Sequence, residues 1–201
     1  MTMQHLRSPS MNRLLLVDDD PNVVAALRRV LRSSFTQALT VECFGDPFAA
    51  LERLKQVHVD VILSDYRMPA MDGFEFLRQA REIQPHVVRM VLSAASDFKS
   101  VQQAINEIEV FRYLVKPWTE DEFVEQIGQA LERAEHDRTE RELADAMRLQ
   151  QGELSPEDLE LRRLEELEPG LTVVEWGPNG EVVMSLDDIL EDTPKGQAPK
   201  P

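Results

Sequence analysis

The sequence predicts a doubly wound α/β fold built on a five-stranded parallel sheet. Three observations carry that expectation. Five short apolar runs recur along residues 13–115. The segments that follow them repeat apolar residues at helical spacing. Most of the runs end on a polar residue of a kind that does chemistry. Runs that are apolar on both faces and joined by helices indicate a parallel sheet covered on both sides.

The elements follow in order. "RLLLV" (13–17) is a strand meeting "DDDPN", where Pro21 suits the first turn of a helix over 23–32. "ALTVECF" (38–44) is the second strand. Asp46 is an N-cap and Pro47 the first position of a helix over 46–55. "VDVILSD" (59–65) is a strand ending on Asp65, and "DGFEFLRQAREI" (72–83) a helix. "HVVRMVLSA" (86–94) brings a strand to Ser93, and residues 97–107 read as a helix. "VFRYLV" (110–115) brings the fifth strand to Lys116, and Pro117 turns the chain away. Thr119 with Glu122 forms a capping box that opens a long helix over 119–150. Phe123, Ile127, Leu131 and Ala134 lie on its buried face. Leu143, Ala146, Met147 and Gln150 continue as a weaker stripe, with a short coiled coil or a solvated helix end as its two readings.

Net charge is −15 over 201 residues. Residues 1–118 hold 14 basic and 14 acidic residues, so the whole excess falls in residues 119–201, with 8 basic and 23 acidic. Such a tail repels phosphate backbones and excludes direct nucleic-acid binding through it. The single cysteine, Cys43, has no internal disulfide partner, which fits a reducing compartment. No apolar run approaches membrane-spanning length, and the N-terminus lacks the apolar core of a signal peptide. A cytoplasmic protein without a membrane partner is expected.

In a doubly wound sheet, ligands bind beyond the carboxyl ends of the strands. Those ends carry Asp18, Asp19 and Asp20, then Asp65, Ser93 and Lys116. Converging carboxylates repel and call for a cation. A hard divalent ion such as Mg²⁺ suits oxygen donors, and Lys116 supplies a second positive centre. A carboxylate nucleophile, a metal, an ammonium and a hydroxyl suffice for phosphoryl transfer to aspartate.

"LLLVDDDP", "DVILSDYRMPAMDGFEFL", "VLSA" and "RYLVKPW", in that order, resemble the receiver domain of two-component response regulators over about residues 12–135. The run from Asp65 to Gly73 is the most specific of the four. The resemblance implies a flavodoxin-like fold. It implies that Asp65 is the phosphoacceptor and that Asp18 and Asp19 hold Mg²⁺ together with Asp65 and the backbone carbonyl of Arg67. Asp19 would be the more direct ligand of the acidic pair. Ser93 would be the switch hydroxyl and Tyr113 the switch aromatic. Lys116 would contact the phosphate, and its bond to Pro117 would be cis. Asp20 reads as a helix N-cap instead of a ligand. The implied partners are a sensor histidine kinase or phosphotransfer protein, and a downstream protein. The run "AINEIEVFRYLVKPW" is more loosely similar to receivers found with HD-GYP phosphodiesterases or in hydrogenase-type regulators.

The chain is expected to catalyse only its own phosphorylation and dephosphorylation. A haloacid dehalogenase-type phosphatase is a rival reading, with Asp18 as nucleophile beside Asp20, Ser93 and Lys116. It leaves the Met-Pro-x-Met-Asp-Gly run unexplained. A scaffold that is never phosphorylated is the other, opposed by the set Asp18, Asp19, Asp65 and Lys116.

The remaining organisation divides as follows. Residues 1–11 are a flexible N-terminus, and 136–154 a helical extension. Residues 155–190 form a small unit, with a helix over 155–170 and a β-hairpin over 171–186 turning at "GPNG". Residues 191–201 are expected to be disordered. An isolated hairpin is marginal in water. Trp176 is its natural anchor, on the preceding helix, the receiver, a partner or a second copy in a homodimer. No DNA-binding output motif is found in this stretch.

Overall fold

The computed structural model describes residues 12–35, 39–94, 108–167 and 169. Strands β1 (Asn12–Val17), β2 (Leu39–Phe44), β3 (Val61–Asp65), β4 (Val88–Ala94) and β5 (Arg112–Lys116) form one sheet in the order β2-β1-β3-β4-β5. Every pairing is parallel. The expected fold is present. The expected helix over 97–107, the hairpin over 171–186 with Trp176, and the segments 1–11 and 191–201 lie outside the described residues.

Helices cover both faces because the strand period is two. Leu14, Leu16, Val61 and Leu63 point to one face and pack with α1 (Pro21–Ser34) and α4 (Glu120–Gln151). Leu15, Val17 and Ile62 point to the other and pack with α2 (Pro47–Leu54) and α3 (Gly73–Ile83). The inner strand β3 is buried along its whole length. The edge strand β2, expected to be an apolar run like the rest, is only half-buried throughout. Its place at the sheet edge explains this, and there Glu42 reaches outward to Arg53, 2.7 Å away, and to Arg13 at 3.4 Å.

Helix starts follow the expected caps. Asp20 accepts from the Asn22 N–H at 2.8 Å, and Asp46 from the Phe48 N–H at 3.1 Å. Thr119 accepts from the Glu122 N–H at 3.3 Å. Each cap satisfies a helix N–H that has no partner within its own helix.

The loop from α2 to β3 is held by one buried side chain. The Gln84 amide donates to the carbonyls of Leu54 and Val57, both at 2.7 Å, and accepts from the Val59 N–H at 3.0 Å.

Helix α4 runs for 32 residues, and its buried residues end at Ala134. Just beyond, Arg138 donates to Asp60 at 3.2 Å, at the amino edge of β3. The helix stops at Gly152, which is left-handed with φ 75°. After that turn, α5 (Pro156–Leu167) folds back on α4, with Arg162 3.2 Å from Asp145 and Leu154 buried in the turn. Ser155 and Asp158 close a reciprocal cap at the start of α5, at 2.7 and 3.0 Å. The extension is thus a helical hairpin. Of the expected stripe, Leu143 and Met147 are exposed.

Candidate functional site

β1 has neighbours on both sides, and the chain leaves it first toward β2 and then returns to β3. The carboxyl ends of β1 and β3 therefore flank the point where the winding reverses, and Asp18 and Asp65 stand there. Both are buried, with side-chain exposures of 1% and 8%. Two buried carboxylates need a counter-charge, and Lys116 provides it from the end of β5. Its Nζ lies 2.5 Å from Asp65 Oδ1 and 3.0 Å from Asp18 Oδ2.

The remaining carboxylate oxygens are bound by the backbone. The Asp20 N–H donates to Asp18 Oδ1 at 2.9 Å, and the Arg67 N–H donates to Asp65 Oδ2 at 2.9 Å. Burial pushes the Asp18 carboxyl above its ordinary value, against the opposing pull of the Asp20 N–H and Lys116. Burial also works to lower the Lys116 ammonium, but its bonds to Asp65 and Asp18 outweigh that and hold it above its usual value. The ammonium is therefore a fixed positive charge at the site.

The loop after Asp65 folds tightly under it. The Gly73 N–H donates to the Tyr66 carbonyl at 2.8 Å. A Cβ at Gly73 would lie 2.1 Å from the Asp65 carbonyl oxygen, so only glycine permits this approach. Met68 is buried, and the Tyr66 and Phe74 rings meet at 5.1 Å. Asp72 caps α3 by accepting from the Glu75 N–H at 2.9 Å. The Met-Pro-x-Met-Asp-Gly run is thus a packed and capped turn that fixes where Asp65 points.

Ser93 is buried at the end of β4, paired in register with Val115 and next to the Ala94–Lys116 pair. Tyr113 is half-buried, and its hydroxyl donates to the Ala94 carbonyl at 3.2 Å. Asp19 is solvent-exposed beside Asp18. The Lys116–Pro117 peptide is cis, as expected, and Trp118 then packs on Phe123 at 6.1 Å to lead into α4. The structure therefore joins Asp18, Asp65 and Lys116 directly. It places Ser93, Tyr113, Asp19 and Arg67 on neighbouring strand ends and loops.

The donor set is consistent with a hard divalent cation. Asp18, Asp19, Asp65 and the Arg67 carbonyl offer oxygen only, and Asp18 and Asp65 already converge on one positive group. Sequence reasoning missed the role of Gly73, which depends on a contact with the Asp65 backbone. The glycine in that motif was the available signal. On α4, His136, Asp137 and Glu140 also lie within 4.8 Å of one another through their donor atoms, with Asp137 half-buried and held by Arg133.

Known proteins place the chain. The family described as response regulator receiver domain matches residues 14–128. The hydrogenase transcriptional regulatory protein HoxA of Cupriavidus necator is 39% identical over 119 residues, 59% of this chain and 24% of that protein. The cyclic di-GMP phosphodiesterase response regulator RpfG of Xanthomonas campestris pv. campestris is 37% identical over 105 residues, 52% of this chain and 28% of that one. The chain thus spans about a quarter of the curated relatives it matches. Among solved structures, the signal receiver domain of an HD domain-containing protein from Pseudomonas fluorescens Pf-5 matches with TM-score 0.57 and 32% identity, covering 62% of this chain and 98% of that one. An adenylate cyclase structure from Rhodopirellula baltica matches with TM-score 0.60 and 32% identity, covering 67% and 97%. Among the described residues no helix is long and apolar enough to cross a membrane. With a buried aspartate pair bridged by a strand-end lysine and the family matched across more than half its length, the chain belongs to the response regulator receiver domain family.

Proposed function

We propose that Asp65 accepts a phosphoryl group from a phosphohistidine of a sensor kinase or phosphotransfer protein, and that the phosphorylated chain signals through a protein contact. The observation that carries this reading is the Lys116 ammonium, 2.5 Å from Asp65 and 3.0 Å from Asp18. In the transfer, an Asp65 oxygen forms a bond to phosphorus as the bond from phosphorus to the donor imidazole nitrogen breaks. The imidazole leaves with the electron pair and takes up a proton.

Asp65 is oriented for this by the Arg67 N–H and by the close approach of Gly73. Lys116 neutralises charge on the phosphoryl oxygens. The Ser93 hydroxyl donates to one of them, and Tyr113 gives up its bond to Ala94 as the β4 end rearranges. Mg²⁺, held by Asp18, Asp19, Asp65 and the Arg67 carbonyl, would supply charge neutralisation for attack on the dianion. The acidic excess of residues 119–201 favours a protein partner over nucleic acid for the output.

The test is intact-mass spectrometry after incubation with acetyl phosphate and Mg²⁺. One phosphoryl adduct is expected on the native chain and on Asp18→Asn at reduced yield, and none on Asp65→Asn. An adduct that persists in Asp65→Asn and disappears in Asp18→Asn would favour the phosphatase reading. No adduct from small donors or kinases would leave a scaffold.

A further inference from the structure

Three arginines on α1 line one groove. Arg28, Arg29 and Arg32 are exposed, and no carboxylate among the described residues pairs with them. Most other described arginines are paired: Arg13 and Arg53 share Glu42, Arg78 holds Glu75, and Arg81 and Arg89 share Glu109. The three unpaired arginines line a groove of about 750 Å³ between α1 and the edge strand β2. Val24, Cys43 and Phe44 give the groove its apolar wall, and Asp18 and Asp19 close one end. Such a groove fits a segment that is apolar and acidic and has no basic residue.

This chain carries one. Residues 181–192, "EVVMSLDDILED", hold five acidic residues, six apolar ones and no basic residue. We propose that this segment of the chain docks in the α1–β2 groove of its own molecule, with its carboxylates on Arg28, Arg29 and Arg32 and its apolar residues against Val24 and Phe44. Length permits it. The spacer from Leu167, where α5 ends, to Glu181 spans up to about 45 Å when extended, and α1 is about 21 Å long. The fold of α5 back along α4 also turns the chain toward the sheet. Tethering keeps the segment at high effective concentration. The carboxylates of Asp18 and Asp19 repel it from the far end of the groove, so it lies along the arginines, away from that acidic end. Docking there obstructs any partner that approaches over α1. The docking itself requires no phosphoryl chemistry.

The experiment uses the full chain carrying Arg32→Lys, treated with a water-soluble carbodiimide that joins carboxylates directly to amines. At low salt we expect an intramolecular bond between position 32 and Asp187, Asp188, Glu191 or Asp192, found by peptide mapping of the monomer and lost at about 1 M salt. A bond found only between two chains would assign the groove to a second copy and overturn the proposal, as would no bond to residues 187–192. Cys43, the one thiol, gives an independent readout in the groove wall. Three exposed ion pairs of ordinary strength favour the closed form by about tenfold. Neutral iodoacetamide should therefore alkylate Cys43 about that much faster in D187N/D188N/E191Q/D192N than in the native chain. Equal rates at low salt would overturn the docking. All substituted positions lie on exposed α1 or in the segment itself.

Discussion

Arg138 lies 3.2 Å from Asp60, and that bond ties the extension of α4 to the amino edge of the sheet. Asp60 is buried, and it also accepts from the Arg13 N–H at 2.7 Å. Burial alone would raise its carboxyl, but His58, the Arg13 N–H and Arg138 together hold it below the ordinary value of 3.8. A carboxyl lowered in the folded state stabilises fully above its unfolded value and loses that contribution as pH falls through the folded one. Asp60→Asn should therefore lower the melting temperature at pH 7, and the gap to the native chain should narrow as pH drops below about 4. A gap that is constant from pH 7 to pH 3 would contradict this.

Arg138→Ala should cost about 1–3 kcal/mol, because it leaves Asp60 buried with one charged partner fewer. Hydrogen exchange should show the loss concentrated in α4 beyond Ala134. Uniform exchange across the sheet would mean that the helix is held elsewhere.

Gly73→Ala puts a methyl group 2.1 Å from the Asp65 carbonyl oxygen. The neighbouring atom is backbone, so relief requires moving the strand end. A stability loss of about 1–3 kcal/mol is expected. The yield of the Asp65 adduct in the mass assay should fall with it, at temperatures where the variant remains folded. Gly128 has no atom within 4 Å of a built Cβ and serves as the control: Gly128→Ala should be neutral or slightly stabilising, by less than about 1 kcal/mol.

Gln84→Met keeps the length of the side chain but strands two carbonyls and one N–H in the α2–β3 connection. Each buried unsatisfied group costs about 1–3 kcal/mol, so a total above about 3 kcal/mol is expected by denaturant titration. A smaller change would mean that water enters the loop and replaces the amide.

Lys116→Met should uncover a competition. The ammonium now occupies the space between Asp18 and Asp65, and removing it leaves two buried carboxylates that favour a divalent cation. Calorimetry should show tighter Mg²⁺ binding than in the native chain, while the mass assay shows a lower yield of adduct. Weaker Mg²⁺ binding would exclude Asp18 and Asp65 as its ligands.

Local chemistry was legible in the sequence. Asp20, Asp46 and Thr119 cap helices because a short polar side chain before an apolar periodic run has one natural use. Asp18, Asp65 and Lys116 could be brought together because each ends an apolar run and a parallel sheet aligns those ends. Contacts between distant segments were not legible. Nothing near Asp60 or Arg138 in sequence announces their pairing across 78 positions. Gln84 reads as one more polar residue at a helix end until the loop it fills is seen. The half-burial of β2 follows from its place at the sheet edge, which topology decides and residue pattern does not. The fold of α5 onto α4 depends on Gly152 and Leu154, which stand in an otherwise ordinary polar stretch.

Helix α4 passes without a break from the core residues Phe123 to Ala134 into the outer stretch that carries Asp145 and Arg148. The bearing of the hairpin is therefore a matter of phase. One residue inserted between Arg138 and Asp145 would swing α5 about the helix axis by about 100° and carry it about 1.5 Å outward. Seven would return it to within about 20° of its original heading. The direction in which the extension faces is stored as a count of residues, and the receiver core is the fixed end from which the count is taken.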